Sequence, residues 1–460
     1  MYNIDFNSPC HVYFMGIGGI SMSGLAEILL GEGFKISGSD MKESDITDIL
    51  SNMGVKINIG QVASNITDDI DLVVYTAAIR EDNEEYQAVK TKGIPMLTRA
   101  QLLGQIMRNY RYGIAVSGTH GKTTTTAMMS HVLLASDTDP TISIGGMLDA
   151  IGGNIRVGKS DYFVTEACEY TNSFHEFNPY ISIILNVDED HLDFFSGIDE
   201  IKDSFKTFAK ILPDDGLLVI NGDMEHTRYI TEGLSCNIVT FGLDEGNKYQ
   251  AKNITFDSEG HPSYTLVVDG KEQDTITLHS SGIHNVVNSL SVIAVSDFLG
   301  LDLNNVKTGL LNCTSAKRRY EYKGTTDNGV IIIDDYAHHP TEIAATIKAT
   351  ANTPHNELWV AFQPHTYTRT YALLDKFAEA LAVCDHVLLA DIYAAREKDT
   401  GMVSSMDLCE RINSLGGNAI HIGDLLSIQK FVEKNCKKND LLITMGAGNV
   451  DIVGNSLLKK

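Results

Sequence analysis

Between the apolar run Gly113–Ser117 and a helical pattern beginning near Lys122 stands the segment Ser117-Gly118-Thr119-His120-Gly121-Lys122-Thr123-Thr124. Few folds can use such a segment. A buried strand that turns through glycines into a helix points its backbone N–H groups, and the positive end of the helix dipole, at one spot, which is a seat for an anion. Lys122 is spaced to reach the outer phosphates of a nucleotide, and the Thr123 hydroxyl to meet its Mg²⁺. The common form of this loop has four residues between its glycines. Gly118 and Gly121 have Thr119 and His120 between them, so the loop is a variant, and Thr124 continues it into the helix.

The rest of the chain fits that requirement three times over. Its 460 residues exceed what one core organises, and short apolar strands alternate with amphipathic stretches, the pattern of parallel sheets. A first unit, residues 1–108, has strands expected at 11–17, 34–37, 55–59 and 71–76. A second, 109–316, has strands at 113–117, 162–166 and 181–186, antiparallel hairpins from about 249 to 278, and helices at 284–299 and 303–311. A third, 317–460, has strands at 330–333, 358–362, 386–390 and 441–445. The fold class expected is α/β, in three consecutive domains with a central parallel sheet of the phosphate-loop ATPase kind.

Charge narrows the partners. With 36 basic and 60 acidic residues the formal charge is -24, which argues against nucleic acid as a partner because backbone binding needs a basic surface. Anionic substrates must be met by a few placed cations, backbone donors and metal ions. The cysteines, at 10, 168, 236, 313, 384, 409 and 436, form no close pairs, and read as reduced thiols. No signal peptide and no apolar run of membrane-spanning length stands out, so no membrane insertion and a cytoplasmic location are expected.

A second glycine turn, Gly16-Ile17-Gly18-Gly19-Ile20-Ser21, follows a strand and opens a helix, with Asp40 further on. Alone it would suggest a nicotinamide oxidoreductase. Ser21 stands at the third glycine position, however, and the same geometry holds the diphosphate of a UDP-sugar. With a second nucleotide loop downstream, Gly16, Gly18, Gly19 and Asp40 are read as a UDP-sugar site. In open parallel sheets ligands lie beyond the carboxyl ends of strands, which puts Glu166, ending one strand, and His191, following another, on the same rim as Lys122. A strand-end acid is an ordinary Mg²⁺ ligand; periodicity alone assigns no such role to His191.

Taken together, these segments resemble the Mur ligase family. The resemblance is carried by Gly118 to Thr123, Glu166-Ala-Cys-Glu-Tyr, Asn186-Val-Asp-Glu-Asp-His-Leu-Asp193, His284-Asn285-Val-Val-Asn288, Arg318-Arg319-Tyr320, Asp334 to Pro340, Gln363-Pro-His365-Thr-Tyr-Thr-Arg369 and Gly446-Ala-Gly448. It runs from about residue 11 to about residue 450. It implies Rossmann-like first and third domains around an ATP-binding middle one. The implied activity is ATP- and Mg²⁺-dependent ligation of L-alanine to the lactyl carboxylate of UDP-N-acetylmuramate, through an acyl phosphate, by a monomer or weak homodimer in peptidoglycan precursor synthesis. It implies Lys122, Glu166, His191 and Arg319 as catalytic residues, and Thr123, Glu166 and His191 as metal ligands. Asn285, Asn288, Arg319 and Asp335 join the loop in binding ATP, and Tyr336, His338, His365 and Arg369 take the amino acid. Two departures stand out: Thr366 follows the histidine where several relatives carry arginine, and Asn449 replaces an aspartate.

Other readings remain at this point. A recycling ligase adding an intact peptide to the same sugar nucleotide shares most of these motifs. A Rossmann oxidoreductase explains residues 11–40 only, and a nucleotide switch explains the loop only. His338 and His339 as a zinc pair find no third ligand at a suitable spacing.

Overall fold

The computed structural model describes residues 2–458 apart from 77, 193, 258, 259, 314–316, 352 and 396. Asp193 of the metal segment and the expected boundary at 316 thus lie outside the described residues. The strands gather into three sheets. The first consists of β1 (His11–Met15), β2 (Lys35–Asp40), β3 (Lys56–Ile59), β4 (Leu72–Tyr75) and β5 (Met96–Thr98), in the order β3-β2-β1-β4-β5. All its pairings are parallel, and the order reverses between β1 and β4, next to the glycine turn that follows β1.

The middle sheet contains β6 (Tyr112–Ser117), β7 (Thr141–Leu148), β8 (Gly153–Arg156), β9 (Tyr162–Ala167), β10 (Ile181–Ile184), β11 (Leu217–Asn221), β12 (Asn237–Gly242), β13 (Tyr249–Phe256), β14 (Pro262–Val268) and β15 (Lys271–Thr277). Their order is β15-β14-β13-β12-β11-β10-β6-β9-β7-β8. β6 lies between β10 and β9, both parallel to it, with Ser117 level with Ile184 and with Ala167. The loops after these three strands therefore leave the sheet at one height. The expected antiparallel hairpins are β13, β14 and β15; the hairpin of β7 and β8 and the extension through β11 and β12 were not read from the sequence.

The third sheet joins β16 (Glu321–Thr325), β17 (Ile331–Asp335), β18 (Leu358–Phe362), β19 (His386–Ala390), β20 (Ala419–Gly423) and β21 (Leu441–Met445) in the order β16-β17-β21-β18-β19-β20. Only β16 runs antiparallel. Asp335 and Phe362 both pair with Met445, so the segments that follow, carrying Tyr336–His339, Gln363–Arg369 and Gly446–Gly448, again share one edge.

One apolar cluster runs from Val12 and Phe14 of the first sheet, through Leu102, Leu103 and Ile106 of the helix Arg99–Met107, to Phe163, Phe174 and Phe205 of the middle unit. The third unit has its own core on each face of its sheet, and Leu192 of the middle unit packs against one of them. The seam between the first two units is tight at Gly104. A Cβ added there would lie 1.8 Å from the Glu176 carbonyl oxygen, a backbone atom that cannot swing aside. Gly104→Ala is therefore expected to cost about 1–3 kcal/mol, seen as a lowered melting temperature with full-length protein.

Candidate active site

Gly118 and Gly121 both have positive φ, 139° and 85°, and so hold a turn that a side chain would strain. The turn is clamped from the neighbouring strand: Asn186 accepts from the His120 N–H at 2.7 Å and donates to the His120 carbonyl at 3.0 Å. The Thr119 hydroxyl accepts from the Asp188 N–H at 2.9 Å. Asn186 was visible only as part of a motif; its clamping role depends on β10 lying beside β6.

Lys122 opens the helix Lys122–Ala135 and folds back on its own loop. Its Nζ donates to the Gly118 carbonyl at 2.5 Å, the Thr119 carbonyl at 3.0 Å and Glu169 Oε2 at 2.9 Å. Burial disfavours its charge, but Glu169 keeps it firmly protonated. Glu169 is the main residue missed by reading the sequence. It is 2% exposed, its Oε1 has no hydrogen-bond partner, and that oxygen stands 3.7 Å from His191 Nε2. His191 itself has φ 53° and packs its ring 4.6 Å from that of Tyr170. Nearby, the Thr123 hydroxyl donates to Glu166 Oε2 at 3.0 Å, and Glu166 Oε1 accepts from the Gly145 N–H at 2.6 Å. The converging Thr123 hydroxyl and Glu166 carboxylate, with the unpartnered Glu169 oxygen facing His191, make a donor set that suits a hard divalent cation.

Two cavities flank this centre. One, of about 440 Å³, is walled by His120, Gly121 and Thr124 of the loop, by Asn285 and Asn288 of the helix Ile283–Phe298, and by Arg319 and Asp335 of the third unit. The structure thus brings together these expected nucleotide residues from two units. Arg319 lies over the Tyr336 ring, whereas its neighbour Arg318 ties the third unit to itself, donating to Asp334 Oδ2 at 2.8 Å and to the Gly446 and Gly448 carbonyls. Asp335 borders the cavity without offering a free carboxylate: its oxygens accept from the Tyr320 and Ala337 N–H groups and from the Thr346 hydroxyl. Burial raises it to about 6. In this structure it braces the turn from the cavity wall.

The second cavity, of about 320 Å³, is lined by His191, Tyr336, His338, His365 and Arg369, which unites all four expected amino-acid residues with His191, an expected metal ligand. Arg369 is not free there. Its Nε and Nη2 both donate to Asp190 Oδ1, at 3.0 and 2.9 Å. Burial works against the charge on Asp190, and Arg369 holds its carboxyl well below the usual range all the same. Nearby, Asn449 N–H donates to Gln363 Oε1 at 2.9 Å and Gln363 Nε2 donates to Asn449 Oδ1 at 3.1 Å, a reciprocal pair.

The glycine turn of the first unit is closed by its own acid. Asp40 Oδ2 accepts from the Gly18 N–H at 2.9 Å and Oδ1 from the Met41 N–H at 2.8 Å. Gly16 has φ 79°, and Gly19 precedes the helix Ile20–Gly31. Asp40 thus braces the turn in this structure, at the place where the sugar nucleotide is expected.

The family description Mur ligase family, catalytic domain, matches residues 11–111, Mur ligase middle domain matches 116–296, and Mur ligase, glutamate ligase domain, matches 318–448. The chain belongs to the Mur ligase family. It is 56% identical over its full length, and that of the relative, to a protein of Lachnospira eligens named UDP-N-acetylmuramate–L-alanine ligase, and 55% identical, likewise over both full lengths, to one of that name from Agathobacter rectalis. Among solved structures, UDP-N-acetylmuramate-alanine ligase from Thermotoga maritima matches with TM-score 0.81 at 29% identity, covering 98% of each chain. A murein peptide ligase from Psychrobacter arcticus shares the fold, with TM-score 0.71 at 24% identity over 98% of each chain.

For this Mur ligase the charge balance at the loop is distinctive. His120 sits between Glu342, with Nδ1 to Oε1 at 3.3 Å, and Asp188, with Nε2 to Oδ2 at 3.5 Å. Burial opposes its protonation, but the two carboxylates and then Asp190 prevail and raise it to about 9; the neighbouring His339 is pushed down, by burial first and then by the charge on His120. A histidine raised above its unfolded value of about 6.5 stabilises the fold fully below that pH, and the contribution disappears as pH rises through about 9. Stability is expected to fall across that window, and Glu342→Gln should lower the His120 titration midpoint, both checked by NMR of the imidazole resonances alongside urea unfolding.

Proposed function

We propose that the chain joins L-alanine to the lactyl carboxylate of UDP-N-acetylmuramate, forming ADP and phosphate. The observation that carries this reading is the meeting of a nucleotide cavity and a separate amino-acid cavity on the segment 186–192, whose His120 and Arg369 contacts reach one into each. A binding switch has no use for the second cavity, and an oxidoreductase that held its dinucleotide at residues 11–40 has no use for a further phosphate loop.

In this reading residues 1–108 hold the sugar nucleotide, with Gly16, Gly18 and Gly19 turned toward its diphosphate. Residues 109–316 hold ATP, and 317–460 close over both with Arg319 and the amino-acid pocket. A carboxylate is a poor electrophile, so it is first converted to an acyl phosphate, which the alanine amine then attacks. Lys122 exchanges its contacts with Glu169 and the loop carbonyls for phosphate oxygens, and concentrates positive charge where the transferring group is most negative. Thr123, Glu166 and His191 would hold Mg²⁺, which when bound neutralises phosphate charge. Arg369 releases Asp190 to take the α-carboxylate of alanine, a fork matched to that group, and this fixes the amine's direction of approach.

Phosphate release is expected only when Mg-ATP, UDP-N-acetylmuramate and L-alanine are all present, with a matching mass gain on the sugar nucleotide. Release with a tripeptide and with no single amino acid would assign the recycling activity instead. Lys122→Ala should lose ~3–4 kcal/mol of transition-state stabilisation, read as kcat/KM in the same assay; near-normal turnover would refute the role given to the loop.

A further inference from the structure

A metal site of a different kind is built where the middle and third units meet. His120 of the phosphate loop, Asp188 of the segment after β10, and His339 at the start of the helix Pro340–Thr350 offer ligand atoms that all lie within 4.8 Å of one another. His120 Nε2 is buried and makes no hydrogen bond; Asp188 Oδ2 stands 3.5 Å from it. On the other side of the ring, Nδ1 faces Glu342 Oε1 at 3.3 Å. A carboxylate that holds the proton of one imidazole nitrogen leaves the lone pair of the other aimed outward, the usual support of a metal-bound histidine. Asp188 is oriented in turn by the Thr341 hydroxyl, which donates to its Oδ2 at 2.7 Å. His339 joins by giving up one of two contacts, Nε2 to the Glu189 carbonyl at 2.9 Å or Nδ1 to the Thr341 N–H at 3.3 Å.

The spacing of His338 and His339 in the sequence offered no third ligand. The fold supplies one by bringing two residues more than a hundred positions away to His339, while His338 turns aside, its Nδ1 3.0 Å from the Tyr336 carbonyl. Two imidazoles and a carboxylate are the usual donors of zinc and its transition-metal neighbours, whereas magnesium prefers a set dominated by oxygen, as around Thr123 and Glu166. None of the three residues belongs to the set Thr123, Glu166 and His191.

We propose that His120, Asp188 and His339 form a zinc-class metal site, oriented by Glu342, that cross-links the phosphate loop to the third unit. In the metal-free protein a protonated His120 lies between two carboxylates; the ion places its larger positive charge in the same position. Once bound, it ties the loop to the third unit across the wall of the larger cavity. If that cavity holds the nucleotide, as proposed above, ion and nucleotide hinder one another, but the site itself stands on the three ligands alone.

The test is calorimetric titration of Zn²⁺ into full-length, nucleotide-free protein in excess Mg²⁺, which competes for the set Thr123, Glu166 and His191. One saturable ion per chain is expected. His339→Asn retains a good helix cap and Asp188→Asn retains shape, and each should weaken binding by about tenfold or more, with Glu342→Gln weakening it by about tenfold to a hundredfold. Co²⁺ should give the visible absorption of a four-coordinate site in the parent protein and not in His339→Asn, and melting curves in Mg²⁺ alone show that each variant is folded. Zinc binding of unchanged strength in all three variants, or none beyond the Mg²⁺-saturated background, overturns the proposal.

Discussion

The site rests on the register of three parallel strands. Because Ser117 is level with both Ile184 and Ala167, the phosphate loop, the Glu166–Glu169 turn and the 186–192 segment leave the sheet together and meet within hydrogen-bond range. A slip of one residue in either pairing would turn Asn186 away from His120 and Glu166 away from Thr123, since side chains alternate faces along a strand. The apolar residues that prevent such a slip, Ile114, Val116, Val164, Ile181 and Ile183, are fully buried. Chemistry at the rim is thus fixed by packing in the layer beneath it.

Charges inside the site are arranged in pairs that wait for substrate. Lys122 has Glu169, Arg369 has Asp190, and His120 has Asp188 and Glu342. A buried cation with no partner would be strongly disfavoured, so a ligand-free pocket meant for anions needs internal carboxylates to stand in for them. Each pair also sets a threshold that a substrate must exceed, which favours groups able to offer two oxygens in the right plane over solitary ions.

Much of this was legible in the chain. The strands 358–362, 386–390 and 441–445 are buried apolar runs bounded by polar residues, and they begin and end where the residues change character. The loop residues 118–124 could be singled out because a glycine turn between strand and helix has few uses. The β7–β8 hairpin was not legible: its strands are half-exposed and interrupted by Gly145 and Gly146, so neither alternation nor a continuous apolar run marks it. Glu169 and Glu342 were hidden for another reason. Each reads locally as an ordinary acid, Glu342 as a first-turn helix residue, and each acquires its role from a partner brought near only by the fold. Arg369 and Asp40 show the converse, residues singled out by motif whose resting partners, Asp190 and the Gly18 N–H, no motif could name.

The short stretch from Asn186 to Leu192 serves two masters. At one end it grips the phosphate loop, and at the other it engages Arg369, the Thr341 hydroxyl and the apolar core of the third unit. The three units are therefore not interchangeable cassettes. Grafting a relative's third unit onto this chain, in the hope of changing which amino acid is accepted, would leave these seven residues matched to a surface that is no longer there, and the mismatch would be felt at the nucleotide. Recombination among such proteins is constrained to carry the stretch along with the pocket that it faces.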